Sequence, residues 1–279
     1  MRDVVLALGR ALTAQPSAFV WQPGVTPGSN AAVALTTAAI YVVLALAGRA
    51  APWARAPRLA AAFKPLHNLV LSVGSAVMFA GALSAGYERG LGEWLFCLPQ
   101  GETARGALYF WSYVYYLSKF YELLDTALIV LSDKPLIALH VWHHAVVILM
   151  SWLWLEHAQS LQLIAMLTNT GVHVIMYSYY FLTSVGIRPP WKKLVTNIQI
   201  VQFVFSFAVS MPLVWMQLNG GGCQGFGAWG FNAAFNATLL VLFWDFHRRS
   251  YKAKRGTKSG GDGGAAANSV AARGKPKRA

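Results

Sequence analysis

Seven apolar runs, at 31–47, 67–86, 107–131, 136–155, 160–185, 194–217 and 226–246, divide this chain. A helix rises about 1.5 Å per residue, so roughly 20 apolar residues cross a hydrocarbon core of about 30 Å. Inside lipid the backbone must satisfy its own hydrogen bonds, which makes a helix the expected form of each run. The expected fold class is an all-α polytopic membrane protein with seven transmembrane helices. Composition agrees: 56% of the 279 residues are hydrophobic and 12% are charged, too apolar for a soluble domain.

The breaks between runs set organisation and orientation. Residues 1–30 are weakly patterned and read as a lumenal or interfacial segment. Residues 31–247 are the seven-helix domain, and 248–279 read as a disordered basic tail. The Ser132-Asp133-Lys134-Pro135 turn has helix-start chemistry for the fourth run. Ten of the 23 Lys and Arg residues lie after Phe246. A soluble nucleic-acid binder carries its basic residues on a folded surface, so no nucleic-acid partner is expected. A basic tail on an apolar body suits a cytosolic tail beside anionic membrane lipid. Loops 50–64, 132–135 and 186–193 carry basic residues and fall on the side of the tail. The positive-inside rule therefore places the C-terminus in the cytosol and the N-terminus in the lumen. Cys97 and Cys223 then both lie in lumenal loops, where an oxidising endoplasmic reticulum would join them as a disulfide, the alternative being two free thiols. Lys275 and Lys277 resemble the dilysine retrieval signal of endoplasmic-reticulum membrane proteins.

His140-Val141-Trp142-His143-His144 puts three of the seven histidines into five residues of an apolar run. Steps of three and four share a helix face, so His140 looks the same way as His143 and His144. Depth estimates from helix rise bring further polar residues to the same layer, in the cytosolic half. These are Lys119, Glu122, Asp125 and Thr126 in the third run, Asn169, His173 and Tyr177 in the fifth, and Gln199 and Gln202 in the sixth. His67, His157 and His247 read as isolated near run ends. Ionisable groups within a membrane are costly and mark functional interiors.

Several chemistries remain open on the residues alone. A di-iron oxygenase needs more histidines than the layer offers. A three-histidine zinc site would use His140, His144 and His173. In metal-free acyl chemistry an imidazole attacks a thioester, with Glu122 or Asp125 fixing the ring tautomer. A transporter or receptor for a lipid is the non-enzyme alternative.

Four ordered segments carry a resemblance. Lys119-Phe-Tyr-Glu122-Leu-Leu-Asp125-Thr126, His140-Val-Trp-His143-His144, His173-Val-Ile-Met176-Tyr177-Ser-Tyr179-Tyr180 and Thr196-Asn-Ile-Gln199-Ile-Val-Gln202 resemble the signature boxes of the ELO family of very-long-chain fatty acid elongases. The resemblance implies a 3-ketoacyl-CoA synthase of the endoplasmic reticulum membrane. Such an enzyme condenses a long-chain acyl-CoA with malonyl-CoA, releasing CO2. It implies no tightly bound cofactor and no metal. Helices two to seven would form a six-helix barrel around an acyl tunnel, with helix one outside. His143 would carry the acyl group, His173 would assist, and His140 and His144 would position. Lys119, Glu122, Asp125, Thr126, Asn169, Tyr177, Gln199 and Gln202 would form the polar wall. Arg188, Lys192 and Lys193 would meet CoA phosphates by charge and side alone. Implied partners are the reductases and dehydratase of an elongation cycle and a second copy in a homodimer. Pro135 stands where polyunsaturated-type members often carry Gln, and Val141 replaces a common Trp. Chain length and unsaturation are therefore not readable.

Overall fold

A computed structural model describes residue 9, residues 15–51 and residues 55–256, with side chains described to Arg248. Among the described residues eight α-helices follow one another: α1 Ala31–Ala50, α2 Pro57–Arg89, α3 Ala107–Glu122, α4 Leu124–Leu131, α5 Ala138–Glu156, α6 Gln162–Ser184, α7 Lys192–Asn219 and α8 Phe226–Gly256. No strand occurs among them, beyond an isolated bridge between Val20 and Arg105.

Local chemistry sets several boundaries. The Asn30 side chain caps α1 by accepting the Ala32 N–H at 2.8 Å. Pro57 opens α2, since a first-turn proline loses no helical hydrogen bond. The helix therefore starts well before the expected position 67. The expected run 107–131 is two helices, interrupted at Leu123, which itself keeps φ −61° and ψ −23°. The Ser132–Pro135 turn does not start the next helix. The Ser132 N–H bonds Leu128 O at 3.2 Å and closes α4, while α5 begins at Ala138 after an extended Ile137.

Five of these helices are long and apolar enough to cross a membrane: α1, α2, α5, α7 and the stretch Phe226–Arg248 of α8. The other three, α3, α4 and α6, cover two of the seven expected runs. The third run is split into helices too short to qualify. Helix α6 is diluted by Thr168, Asn169, Thr170 and His173. Polarity is inverted relative to a soluble protein. Leu35, Ile40, Val43, Val73, Val77 and Met211 are exposed, whereas Lys119 and Glu122 are each only 1% exposed.

Helix α2 lies along α6, and α3 packs against both α2 and α5. Small residues permit close approach, as is usual between membrane helices. A Cβ at Gly81 would fall 2.0 Å from the Trp111 ring. Ser72 and Ser178 hydroxyls meet at 2.8 Å across α2 and α6. Helix α1 packs on α5 and α4.

One end of the body is closed by interlocked loops. Cys97 and Cys223 form a disulfide with Cα atoms 5.0 Å apart. Beside it, Gln224 N–H donates to Leu98 O at 2.8 Å, and the Ser160 hydroxyl donates to Gln224 O at 2.8 Å. Residues 15–30 pack against this plug. Phe19 stacks on Tyr113 at 5.3 Å, and the Trp21 indole N–H donates to Glu156 Oε2 at 3.0 Å. From Trp244 onward the end of α8 is a unit separate from the body. It is helical through Gly256, where a disordered tail was expected from 248, because Lys, Arg and Ala are good helix formers and Gly ends the run. Residues 257–279, with Lys275 and Lys277, lie outside the described residues.

Candidate functional site

Helix α3 supplies the deepest charges. Lys119 and Glu122 sit one turn apart, and Lys119 Nζ donates to Glu122 Oε1 at 2.7 Å. The ammonium also lies 3.9 Å from the centre of the Tyr115 ring. His173 Nδ1 of α6 is 3.7 Å from the same Glu122 oxygen. The other oxygen, Oε2, is buried without a hydrogen-bond partner among the described residues. A buried ion pair of this kind is costly to assemble and costlier to break.

Beyond the Leu123 break, α4 presents Asp125 and Thr126 to different neighbours. Asp125 Oδ1 is 2.9 Å from His67 Nε2, and Oδ2 accepts the Tyr177 hydroxyl at 2.7 Å. The Tyr177 ring in turn meets His173 edge-on at 5.4 Å. Thr126 Oγ1 lies 2.8 Å from His140 Nε2 and 2.9 Å from the Tyr41 hydroxyl. His140 and His144, one turn apart, have ring centres 4.3 Å apart. These links correct the reading of His67 as isolated. Starting at Pro57, α2 carries His67 about 15 Å from its first residue, deep enough to reach Asp125. They also give α1 a part in the site, through Tyr41.

His143 stands apart from this rank. Its ring stacks on Phe235 with centres 6.1 Å apart and a 24° interplanar angle. Its Nδ1 is buried and has no hydrogen-bond partner among the described residues. Neither Glu122 nor Asp125 hydrogen-bonds the His143 ring, contrary to the sequence expectation: Asp125 is taken by His67 and Tyr177, and Glu122 Oε1 by Lys119. His143 lines a narrow cleft of about 40 Å³ between α3, α5, α6, α7 and α8. Val147, Met150, Trp154 and Leu239 make it apolar, and Asn169, Gln202, Asn232 and Asn236 add amides.

The remaining expected residues divide. Asn169 accepts the Tyr115 hydroxyl at 2.9 Å and faces the cleft. Gln202 also faces it. Gln199 does not; its amide points at Met176 Sδ, 3.1 Å away. Arg188, Lys192 and Lys193 are exposed around the α6–α7 turn. His140 is bonded to Thr126 and His173 lies beside Glu122, and no group of three His, Cys, Asp or Glu side chains placed to hold a metal ion occurs among the described residues. Sequence reasoning missed Tyr41, His67, Tyr115, Ser206, Asn232 and Asn236. Asn232 and Asn236 did leave a signal, two amides four residues apart in an apolar run.

A family model described as the GNS1/SUR4 family, ELO, matches residues 26–259. The chain belongs to the ELO family. It is 35% identical over 242 residues to "Fatty acid elongase sre1" of Dictyostelium discoideum, covering 84% of this chain and 89% of that one. It is 31% identical over 263 residues to "Fatty acid elongase 3-like" of Arabidopsis thaliana, covering 85% and 89%. "Fatty acid elongase A" of Dictyostelium discoideum is 31% identical over 245 residues, covering 86% and 90%. The ELO match takes in all four polar segments and every residue that lines the cleft.

Proposed function

We propose that the protein is a 3-ketoacyl-CoA synthase that lengthens a long-chain acyl-CoA by two carbons from malonyl-CoA. The observation that carries the reading is the setting of His143. In a member of the ELO family, this one histidine of the box stacks beside Phe235 on the wall of an apolar cleft. An imidazole placed so meets an acyl chain in the cleft and a thioester at its mouth.

Two half-reactions balance. First, an imidazole nitrogen attacks the acyl thioester carbonyl, the C–S bond breaks and CoA leaves with the imidazole proton. Then malonyl-CoA loses CO2, and the resulting enolate carbon attacks the acyl-imidazole. A C–C bond forms, the C–N bond breaks, and the ring nitrogen regains a proton. Lys119, Glu122 and His173 form a buried charged group on α3 and α6 for handling charge in the second step. No cofactor beyond the two CoA substrates enters.

The same proposal covers arrangement and place. α3 with α4 and α6 cross the membrane alongside the five more apolar helices, making seven spans. α2 to α8 surround the cleft, and the packing of α1 on α5 and α4 supports its place outside that ring. A disulfide in the plugged end supports a lumenal side there and an endoplasmic-reticulum location. Exposed Arg188, Lys192 and Lys193 would then meet CoA phosphates at the cytosolic end. A reductase and a dehydratase must act on the 3-keto product before another round. The test is intact-protein mass after incubation with acyl-CoA and no malonyl-CoA. An acyl adduct is expected on wild type and none on His143→Ala. Turnover by wild type without any adduct defeats the acyl-imidazole step.

A further inference from the structure

We propose that Asn232 is a catalytic residue of the first half-reaction, its side-chain N–H donating to the thioester carbonyl oxygen as His143 attacks. The proposal rests on the elongase reading above and adds to it the group that stabilises the oxyanion. Asn232, Phe235, Asn236 and Leu239 all line the cleft. Their spacing of three, four and seven residues is that of one helix face. Phe235 stacks on His143 at 6.1 Å. Asn232 is one turn along, about 5 Å by helix rise, toward the plugged end where α8 begins. His143 and Asn232 line the same cleft, so in this proposal the acyl carbonyl bonded to the His143 ring sits between them.

What separates Asn232 from its neighbours is hydrogen bonding. Asn236 donates to Ser206 Oγ at 2.8 Å, and Asn169 accepts from Tyr115 at 2.9 Å. Asn232 is only 5% exposed, and none of the described residues hydrogen-bonds its side chain. Its amide faces the cleft, where a ligand atom can meet an N–H that no protein group takes. Most of an acyl chain is methylene and offers none. The atom that does is the carbonyl oxygen beside His143. As the C–N bond forms, the carbonyl π pair moves onto that oxygen, and a fixed N–H there lowers the barrier. On collapse the pair returns, the C–S bond breaks and the CoA thiolate takes the imidazolium proton.

The test compares wild type, Asn232→Ala and Asn232→Asp in detergent, timing adduct formation from acyl-CoA alone by rapid quench and intact mass. Loss of one oxyanion donor should slow adduct formation about 100–1000-fold at saturating acyl-CoA. The KM for acyl-CoA should stay within about threefold, because the loss falls on the transition state. Asn232→Asp keeps the volume but loses the donor, so it should be as slow as Asn232→Ala. An unchanged melting curve for Asn232→Asp separates this loss from misfolding. Adduct formation by either variant within about threefold of wild type overturns the proposal, as does a loss confined to KM. Wild-type protein that elongates no acyl-CoA defeats the elongase reading itself, and is told apart because the wild type is then inactive.

Discussion

Two sets of polar side chains meet in the interior, and they are bonded in opposite ways. In the first, on α1 to α6, most groups are matched, Glu122 Oε2 and His144 Nδ1 being exceptions among the described residues. Lys119 holds Glu122, Asp125 holds His67 and Tyr177, and Thr126 joins His140 to Tyr41. In the second, on the cleft wall, His143 Nδ1 and the Asn232 amide have no partner among the described residues. A satisfied buried network specifies and stiffens a structure, whereas an unsatisfied group persists where something else must meet it. On the proposed function, the first set would be scaffold for the histidines and the second would meet substrate atoms.

Substitutions that cut stability and substitutions that cut turnover should fall in different sets. The largest stability loss belongs to Glu122→Ala, which leaves Lys119 charged, buried and alone. The expected cost is about 3–5 kcal/mol, read by unfolding titration in mixed micelles. His143→Ala should instead abolish turnover while shifting stability by less than about 1 kcal/mol, since no hydrogen bond is lost. A His143→Ala protein as unstable as Glu122→Ala would erase the distinction. Next in size is His67→Ala, which removes one of the two partners of Asp125. It should cost about 1–3 kcal/mol and lower turnover only as far as Tyr177 and His173 shift.

The sequence was legible where polarity interrupts apolar periodicity. The boxes around Lys119, His140 and His173 declared themselves because charged or imidazole groups are costly in lipid, and the helices carrying them were placed to within a few residues. Partnerships were less legible. His67 looked stranded because Pro57 was read as loop, when a proline in the first helical turn lengthens α2 enough to carry His67 inward. Tyr41 was invisible because a tyrosine in an Ala-rich span gives no sign of which way its hydroxyl points. The interruption at Leu123 leaves no mark either, since Leu123 keeps helical dihedrals and no glycine or proline stands there. Asn232 and Asn236 show both sides. Their spacing was readable, but which of them Ser206 satisfies depends on how α7 meets α8.

The smallest expected effect tests the boundary of the site. Gln199 shares a box with Gln202, and their three-residue spacing suggests one face and one role. The structure parts them, for Gln202 lines the cleft and Gln199 turns to Met176 Sδ at 3.1 Å. Thioether sulfur is a weak acceptor, so little is lost when the amide goes. Gln199→Leu should stay within about 0.5 kcal/mol of wild type and keep its elongation rate within about twofold. Gln202→Leu, which places a methyl-bearing side chain where an amide faces the cleft, should change KM for acyl-CoA several-fold at similar stability. Measuring both variants against one acyl-CoA series settles whether the box acts as a unit or through the single side chain that faces the cleft. Equal losses in the two would return Gln199 to the wall and require the α6–α7 contact at Met176 to transmit its effect.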